Sequence, residues 1–367
     1  MKEKIKVGIL FGGKSTEHEI SIMSAKNVVA EIDKDKYQVL LIGITKKGEW
    51  CIGKSAESML EGGSKAKQEE VSREDLIAIV PGESDIKMVG ITGPEKISKV
   101  DVIFPVLHGI MGEDGTVQGL LKLAGIPFVG SGVLGSAVGM DKDVMKRLFR
   151  DSGIPIGNFR VIMSHEKDDV IFDEIAEELG LPLFIKPANM GSSVGVHKVG
   201  NKEEFDAALD DAFIFDSKVI VEEFIKGREI ECAVLGNENP IASVPGEICT
   251  QHDFYSYDAK YIDESGAALN IPAILPEKIT EEIRTLAIGS FKSLCCEGMA
   301  RVDSFVKDDG TVIVNEVNTI PGFTSISMYP MLFKESGIAY SELIDRLIGL
   351  ALDRYKKEKM LKTDYSK

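Results

Sequence analysis

The stretch Met299-Ala-Arg-Val-Asp-Ser-Phe-Val-Lys-Asp-Asp-Gly-Thr-Val-Ile-Val-Asn-Glu-Val-Asn318 decides the fold. Two alternating apolar runs flank Asp309-Gly310, a dipeptide that favours a two-residue hairpin turn. A turn at that dipeptide pairs Asp308 with Thr311. Counting back along the ladder sets Asp303 opposite Glu316 and Arg301 opposite Asn318. Opposed residues share a face of the sheet, as do residues two apart on one strand. Arg301, Asp303, Glu316 and Asn318 therefore form one cluster. Two opposed carboxylates repel each other and weaken a purely structural hairpin, whereas a divalent cation reverses that sign. Oxygen-only ligands suit Mg2+, which shares its shell with phosphates and water. The competing reading is the solvated face of an edge hairpin, and a three-residue loop would shift the register by one and break the cluster.

At 367 residues the chain is long enough for two or three domains, and 44% hydrophobic content is that of an ordinary globular protein. A net charge of −16 argues against nucleic acid and anionic membranes as partners, yet leaves room for a locally cationic site and an anionic substrate. No apolar run approaches a membrane span and the N-terminus lacks a signal peptide's apolar core, so a cytoplasmic location is expected. Cys51, Cys232, Cys249, Cys295 and Cys296 show neither zinc spacing nor an even disulfide framework. They are expected to be reduced core residues, with the Cys295-Cys296 pair late in a helix.

The pattern along the chain is strand (4–10), helix (17–29), strand (38–44), a weakly patterned polar segment (53–98), strand (100–107), helix (115–124) and a short strand near Pro127-Phe128. This alternation predicts an open parallel α/β sheet with ligands at the carboxyl ends of its strands, where Glu17 and His108 fall. A second, smaller α+β unit is expected over 141–226. A larger α+β unit is expected over 227–367, with a long loop at 250–272, a helix over 277–296, the hairpin and a terminal helix.

Three further segments are ambiguous alone. Lys186-Pro-Ala-Asn-Met-Gly191-Ser192-Ser193-Val-Gly195 follows a strand, and its glycines and hydroxyls could cradle a phosphate with Lys186 beside them. An ordinary turn explains it equally well, and it is not a Walker loop. Gly12-Gly13-Lys14-Ser15 lacks the spacing of a dinucleotide fingerprint. Val219 to Ile225 is an apolar strand ending in Glu222 and Glu223, either a strand running into a turn or a segment that holds adenine while a carboxylate accepts from its amine.

Six ordered motifs carry a resemblance. They are Phe11-Gly-Gly-Lys-Ser-Thr-Glu17-His-Glu-Ile-Ser21, Leu107-His108-Gly-Ile-Met-Gly-Glu-Asp-Gly-Thr116, Met140-Asp-Lys142, Lys186-Pro with Gly191 to Gly195, Tyr257-Asp-Ala-Lys260-Tyr261, and Asn315-Glu316-Val-Asn318 through Gly322 and Ser327-Met328 to Pro330. Over nearly its whole length the chain resembles the D-alanine–D-alanine ligases of the ATP-grasp superfamily. The resemblance implies a three-domain ATP-grasp fold with an N-terminal domain over 1–140, a central one over 141–226 and a C-terminal one over 227–367 that carries a lid at 250–272. It also implies ATP as a substrate, Mg2+ (two ions, with Mn2+ as a substitute) and a homodimer. Lys142 and Lys186 resemble the lysines on the ATP phosphates, with Ser193 beside them. Glu222, Glu223, Phe224 and Ile225 resemble the adenine contacts, and Glu229 the ribose contact. Asp303, Glu316 and Asn318 resemble the metal ligands. Glu17 resembles the anchor of the first D-alanine's ammonium, with Ser192 and Tyr261 hydrogen-bonded to it. Arg301 and the Gly322 N–H resemble oxyanion donors. His108, Lys260, Ser327 and Met328 resemble the remaining substrate contacts.

The implied reaction is two transfers: a D-alanine carboxylate takes the γ-phosphoryl group of ATP, then the amine of a second D-alanine attacks the acylphosphate, as peptidoglycan precursor synthesis requires. Relatives that make D-alanyl–D-serine or D-alanyl–D-lactate are the nearest alternatives. An apolar Met328 offers no partner to a serine hydroxyl, which favours D-alanine. A nucleotide-binding regulator would have lost a metal ligand or a lysine, and every such position is filled.

Overall fold

A computed structural model of the chain describes residues 3–62, 71–82, 87–92, 96–97, 100–250, 267–362 and 365. Strand β1 (Ile5–Gly12) runs parallel both to β2 (Tyr37–Ile44) and to the later strand Val102–Val106. The short strand β3 (Trp50–Cys51) closes the far edge beside β2. A separate small sheet holds β4 (Ile77–Ile79), β5 (Met88–Gly90) and β6 (Lys96–Ile97), so Val102–Val106 is β7. The sheet order β3-β2-β1-β7 places the topological switch at the carboxyl end of β1, where an open α/β sheet binds ligands. Helix α1 (His18–Glu31) starts there, with Glu17 as its N-cap residue. The segment 53–62 folds as helix α2 (Gly53–Gly62), followed further on by α3 (Thr116–Leu123) and α4 (Val133–Met140). The strand expected near Phe128 reduces to one parallel bridge to Ile103.

Helix α5 (Lys142–Asp151) leads into an antiparallel sheet of β8 (Phe159–Met163), β9 (Leu183–Pro187), β10 (His197–Val199) and β11 (Lys218–Glu223), in the order β10-β9-β11-β8. The strand period divides its faces. Leu183, Ile185, Val219 and Val221 are buried with residues of helices α6 (Phe172–Leu179) and α7 (Lys202–Phe215). The other face carries Phe184, Lys186, Ile220 and Glu222, since Lys186 pairs with Ile220 and Glu222 with Phe184.

The third sheet holds β12 (Arg228–Gly236), β13 (Ile241–Ala242), β14 (Gly246–Thr250), β15 (Ala267–Asn270), β16 (Gly298–Val306) and β17 (Val312–Asn318). Its main path is β15-β14-β12-β16-β17. Helix α8 (Glu277–Ser293) packs Ile283, Ala287 and Phe291 on one face, in the same core as Met145 and Phe149 of α5. Helices α9 (Met328–Glu335) and α10 (Tyr340–Lys359) share one core with Val7, Ile9 and Phe104 of the N-terminal sheet. That common core locks the switch point of the first sheet against the third.

Two expectations are corrected. The hairpin loop has three residues, because Lys307 N–H donates to Thr311 O and Gly310 N–H to Lys307 O, both at 2.9 Å. Gly310 takes the left-handed conformation (φ +84°) that a three-residue loop requires. Val306 pairs with Val312 and Ser304 with Val314, one step off the expected ladder. A β-bulge then skips Asn315, and Asp303 faces Glu316 and Arg301 faces Asn318 after all. The cluster survives because two one-residue shifts cancel. Second, helix α8 ends at Ser293, and Cys295 lies beyond it, exposed and at φ +54°. Cys51, Cys232 and Cys296 are buried, Cys249 is half-buried, and all five are free.

Gly12 ends β1 at φ +91°, and a Cβ there would stand 2.3 Å from Ile44 O. Gly12→Ala is therefore expected to cost at least about 2 kcal/mol, read as a lower urea midpoint. An unchanged midpoint would mean that the β1–β2 junction relaxes freely.

Candidate active site

At the switch point Glu17 is 7% exposed and accepts a short hydrogen bond from Ser192 Oγ in the loop after β9. Gly109 and Gly191 leave room for it: a Cβ on either would stand 2.9 or 3.3 Å from Glu17 Oε2. Ser192 and Ser193 are successive residues at positive φ (49° and 58°), a tight left-handed reversal that brings the loop against Glu17. An acidic side chain and the Gly-rich loop thus meet at one point.

His108 lies in the same wall, 5% exposed, with both ring nitrogens engaged. Nδ1 donates to Ile320 O at 3.1 Å, so Nε2 can accept from Ser24 Oγ at 3.3 Å. Ser24 Oγ in turn accepts from Phe323 N–H at 3.1 Å. Burial opposes the charged ring, but Glu113, 3.8 Å away, outweighs it and raises the His108 pKa. His108 and Ser24 therefore clamp the loop 320–323, which carries Gly322. Ser327 Oγ adjoins Gly322, where a Cβ would lie 2.7 Å from it, and is held by Thr324 N–H at 2.9 Å. Met328 is turned into the core, its methyl end against Gly246.

The open face of the central sheet carries a buried charge network. Lys186 Nζ donates to Glu222 Oε2 at 2.9 Å, and Lys146 Nζ stands 3.3 Å from Glu222 Oε1. Burial would raise the Glu222 carboxyl, but the two ammonium groups hold it down at about 2. Burial pulls the Lys186 ammonium down, while Glu222 and Glu316 more than restore it. Glu222 Oε1 is buried without a hydrogen-bond donor, with the Lys146 ammonium at ion-pair distance from it. Glu223 is engaged elsewhere, accepting from Asn158 N–H at 2.7 Å. Phe224 stacks at 6.0 Å on Phe184, and Ile225 packs over Gly157.

Lys142 joins this network to the hairpin. It opens α5, donates to Met190 O of the Gly-rich loop at 2.7 Å and lies 3.5 Å from Glu316 Oε2. Across the third sheet Glu231, Asp303 and Glu316 form a row, with Glu229 two residues along the same face. Arg301 grips Asp303 through two hydrogen bonds (2.8 and 2.7 Å) and stands 3.1 Å from Glu231. Asn318 Oδ1 is buried without a hydrogen-bond donor beside Glu316. An orphaned amide oxygen next to two carboxylates fits a hard divalent cation.

Glu17, Ser192, Ser193, Lys142, Lys186, Glu222, Glu229, Arg301, Asp303, Glu316, Asn318, Gly322 and Ser327 thus come from all three parts of the fold. Lys260, Tyr261 and most of the 250–272 segment lie outside the described residues. Ser24, Lys146 and Glu231 were missed. Extending the hairpin ladder one strand to β12 would have found Glu231, and the four-residue spacing from Lys142 would have flagged Lys146.

Glu222's depressed pKa gives stability that is present above its ordinary value of 4.5 and lost as pH falls towards about 2. Glu222→Gln removes the carboxylate that two buried lysines share and is expected to cost about 3–5 kcal/mol at pH 7. The gap to the parent should narrow between pH 4.5 and 2, followed by denaturant midpoints at stepped pH. A pH-independent gap would remove the carboxylate's charge from the account.

Two family models match the chain: one described as the D-ala D-ala ligase N-terminus matches residues 6–131, and one described as the C-terminus matches 148–349. A D-alanine–D-alanine ligase of Oceanobacillus iheyensis is 53% identical over 363 residues, covering 99% of each chain. The solved D-alanine–D-alanine ligase from Coxiella burnetii superposes with a TM-score of 0.84 at 38% identity, over 97% of this chain and 96% of that one. A D-Ala:D-Ser ligase from Enterococcus faecalis gives 0.83 at 40% identity, over 95% of this chain and 100% of its own. The two family models together match most of the chain, and the chain belongs to the D-alanine–D-alanine ligase family, with its three-domain ATP-grasp fold and its use of ATP and a divalent metal.

Proposed function

We infer that this protein joins two D-alanines into D-alanyl-D-alanine, with ATP converted to ADP and phosphate, for peptidoglycan precursor synthesis. The observation that carries the reading is Lys142, which bonds the Gly-rich loop and faces Glu316 of the hairpin at once. A single cation between a phosphate cradle and a carboxylate pair is what phosphoryl transfer needs, since that chemistry rests on positioning and charge neutralisation.

Glu17 holds the ammonium of the first D-alanine, with Ser192 fixing its carboxyl orientation. The D-alanine carboxylate attacks the γ-phosphorus in line, ADP leaves, and an acylphosphate forms. Lys142 and Lys186 hold the phosphates, Glu222 and the backbone near Phe224 and Ile225 hold the adenine, and Glu229 the ribose. Asp303, Glu316 and Asn318 would hold Mg2+ (two ions, with Mn2+ as a substitute), which would supply positive charge to neutralise phosphate oxygens. The second D-alanine's amine attacks the acyl carbon. Arg301 and the Gly322 N–H stabilise the oxyanion, and phosphate is expelled. Ser327 borders the second subsite. His108 acts by seating the Gly322 loop. Lys260 and Tyr261 complete the substrate contacts, and the 250–272 segment shields the acylphosphate from water.

Domain limits near 140 and 226 are supported by the three larger sheets, whose strands fall within 5–106, 159–223 and 228–318. A reaction that consumes ATP belongs in the cytoplasm, and no helix among the described residues is long and apolar enough to cross a membrane. The homodimer rests on the family resemblance and is tested by light scattering.

The deciding assay supplies ATP, Mg2+ and D-alanine, alone and with equal D-serine or D-lactate, and identifies products by mass spectrometry. D-alanyl-D-alanine as the dominant product is expected. A mixed product in excess would move the protein to the variant ligases, and absence of ADP would overturn the reaction. Arg301→Met should lower kcat by about a hundredfold or more, and Glu316→Gln should raise the Mg2+ concentration needed for half-maximal rate. Unchanged Mg2+ dependence would sink the metal assignment.

A further inference from the structure

Lys146 is only 2% exposed, and the reaction as described does not use it. It lies one helical turn after Lys142 on α5, so both lysines emerge from one face of that helix. Its ammonium stands 3.3 Å from Glu222 Oε1 and 5.7 Å from the centre of the Phe159 ring. Phe159 is itself the cross-strand partner of Glu222. A lysine in such a place is costly: burial and the neighbouring Lys186 both push its pKa down, and Glu222 only partly restores it. A second cation that merely filled space would be better replaced by an apolar side chain.

The two lysines on Glu222 are not equivalent. Lys186 donates a hydrogen bond to Oε2. Lys146 faces Oε1 at ion-pair distance, and Oε1 still has no hydrogen-bond donor. Its attraction fixes the carboxylate's charge and direction while leaving that lone pair open. When nucleotide binds, Lys186 is the lysine that shares its charge with phosphate, and a carboxylate left alone in a buried site would take up a proton or swing away.

We propose that Lys146 is a positioning residue for nucleobase choice, holding Glu222 so that Oε1 accepts from an adenine 6-amino group and repels a 6-oxo group. The proposal rests on the adenine role of Glu222. A base with an amine at that position gains a charge-assisted hydrogen bond. A base with a carbonyl there brings an acceptor against an acceptor, which a buried site penalises.

The test compares ATP with inosine triphosphate, which differs at that group, using Lys146→Met, Glu222→Gln and the double variant. KM for each nucleotide, kcat, KM for D-alanine and the direct Kd of a non-hydrolysable analogue of each are measured. Lys146→Met should raise KM and Kd for the adenine nucleotide by about tenfold and erode its preference over the inosine form by a similar factor. The effect on kcat should be smaller, and KM for D-alanine should stay unmoved. A loss of thermal stability with the nucleotide preference intact would overturn the proposal and leave Lys146 a packing residue. Glu222→Gln with undiminished preference would instead overturn the adenine role on which the proposal rests. The double variant removes both charges, and so keeps the test usable if Lys146→Met does not fold. Its preference should match that of Glu222→Gln alone, and a further tenfold loss would show Lys146 acting independently of Glu222, against the proposal.

Discussion

Glu231, Asp303 and Glu316 stand side by side across three neighbouring strands, and the rest of the site is arranged around that repulsion. Like charges directly opposed weaken a sheet, so each acid must meet a cation. Arg301 takes Asp303 and Glu231 from within the same sheet, and Lys142 reaches Glu316 from α5. Behind Lys142, Lys186 and Lys146 share Glu222. The cleft is thus lined by charges of alternating sign before any ligand enters. Buried pairs of this kind contribute little net stability but are costly to break. They define geometry more than they hold the fold together, which suits phosphates and metal that exchange partners with groups already in place.

A second constraint acts at the other end of the site. The loop 320–323 is fastened by His108 and Ser24 from the N-terminal unit, and Phe323 O also accepts from Asn27 Nδ2 at 3.2 Å and Tyr340 Oη at 2.5 Å. Phe323 itself packs edge-on to Phe104. Gly322 is therefore positioned by two parts of the chain at once. In the proposed role of oxyanion donor, a Gly322 N–H held by this many contacts needs little reorganisation as charge develops, the condition under which such donors lower a barrier most. The shared core of α9, α10 and the first sheet supplies the rigidity behind it.

Much of this was legible in the residues, though not always for the right reason. The alternating runs around Asp309-Gly310 announced a hairpin, and the strand period announced the acidic face. The loop length was misjudged, because Gly310 rather than the Asp309-Gly310 pair sets the turn, and the compensating bulge at Asn315 has no signature in local propensity. The apolar period of 277–296 runs past the true end of α8, where tertiary packing buries Cys296 without helix and leaves Cys295 exposed at positive φ. Glu231 and Lys146 escaped notice because their importance comes from partners distant in sequence: Glu231 from Arg301 and Asp303, Lys146 from Glu222.

Met328 shows where side-chain identity alone is a poor guide to acceptor choice. Its methyl end and Leu332 both fill the space that a Cβ on Gly246 would take, so the residue belongs to the seat of α9 as much as to any subsite. A polar or charged chain at this position could not stay in that seat without an unpaired buried group. It would have to swing outward, leaving a cavity beneath the first turn of α9. Ser327, the N-cap residue of the same helix, carries the hydroxyl that adjoins Gly322. Any change at 328 that loosens the seat therefore bears on Ser327 and the Gly322 loop as well. On the proposed reading, a side chain at 328 acts on acceptor choice through the packing of α9 on β14 as well as through any contact it makes.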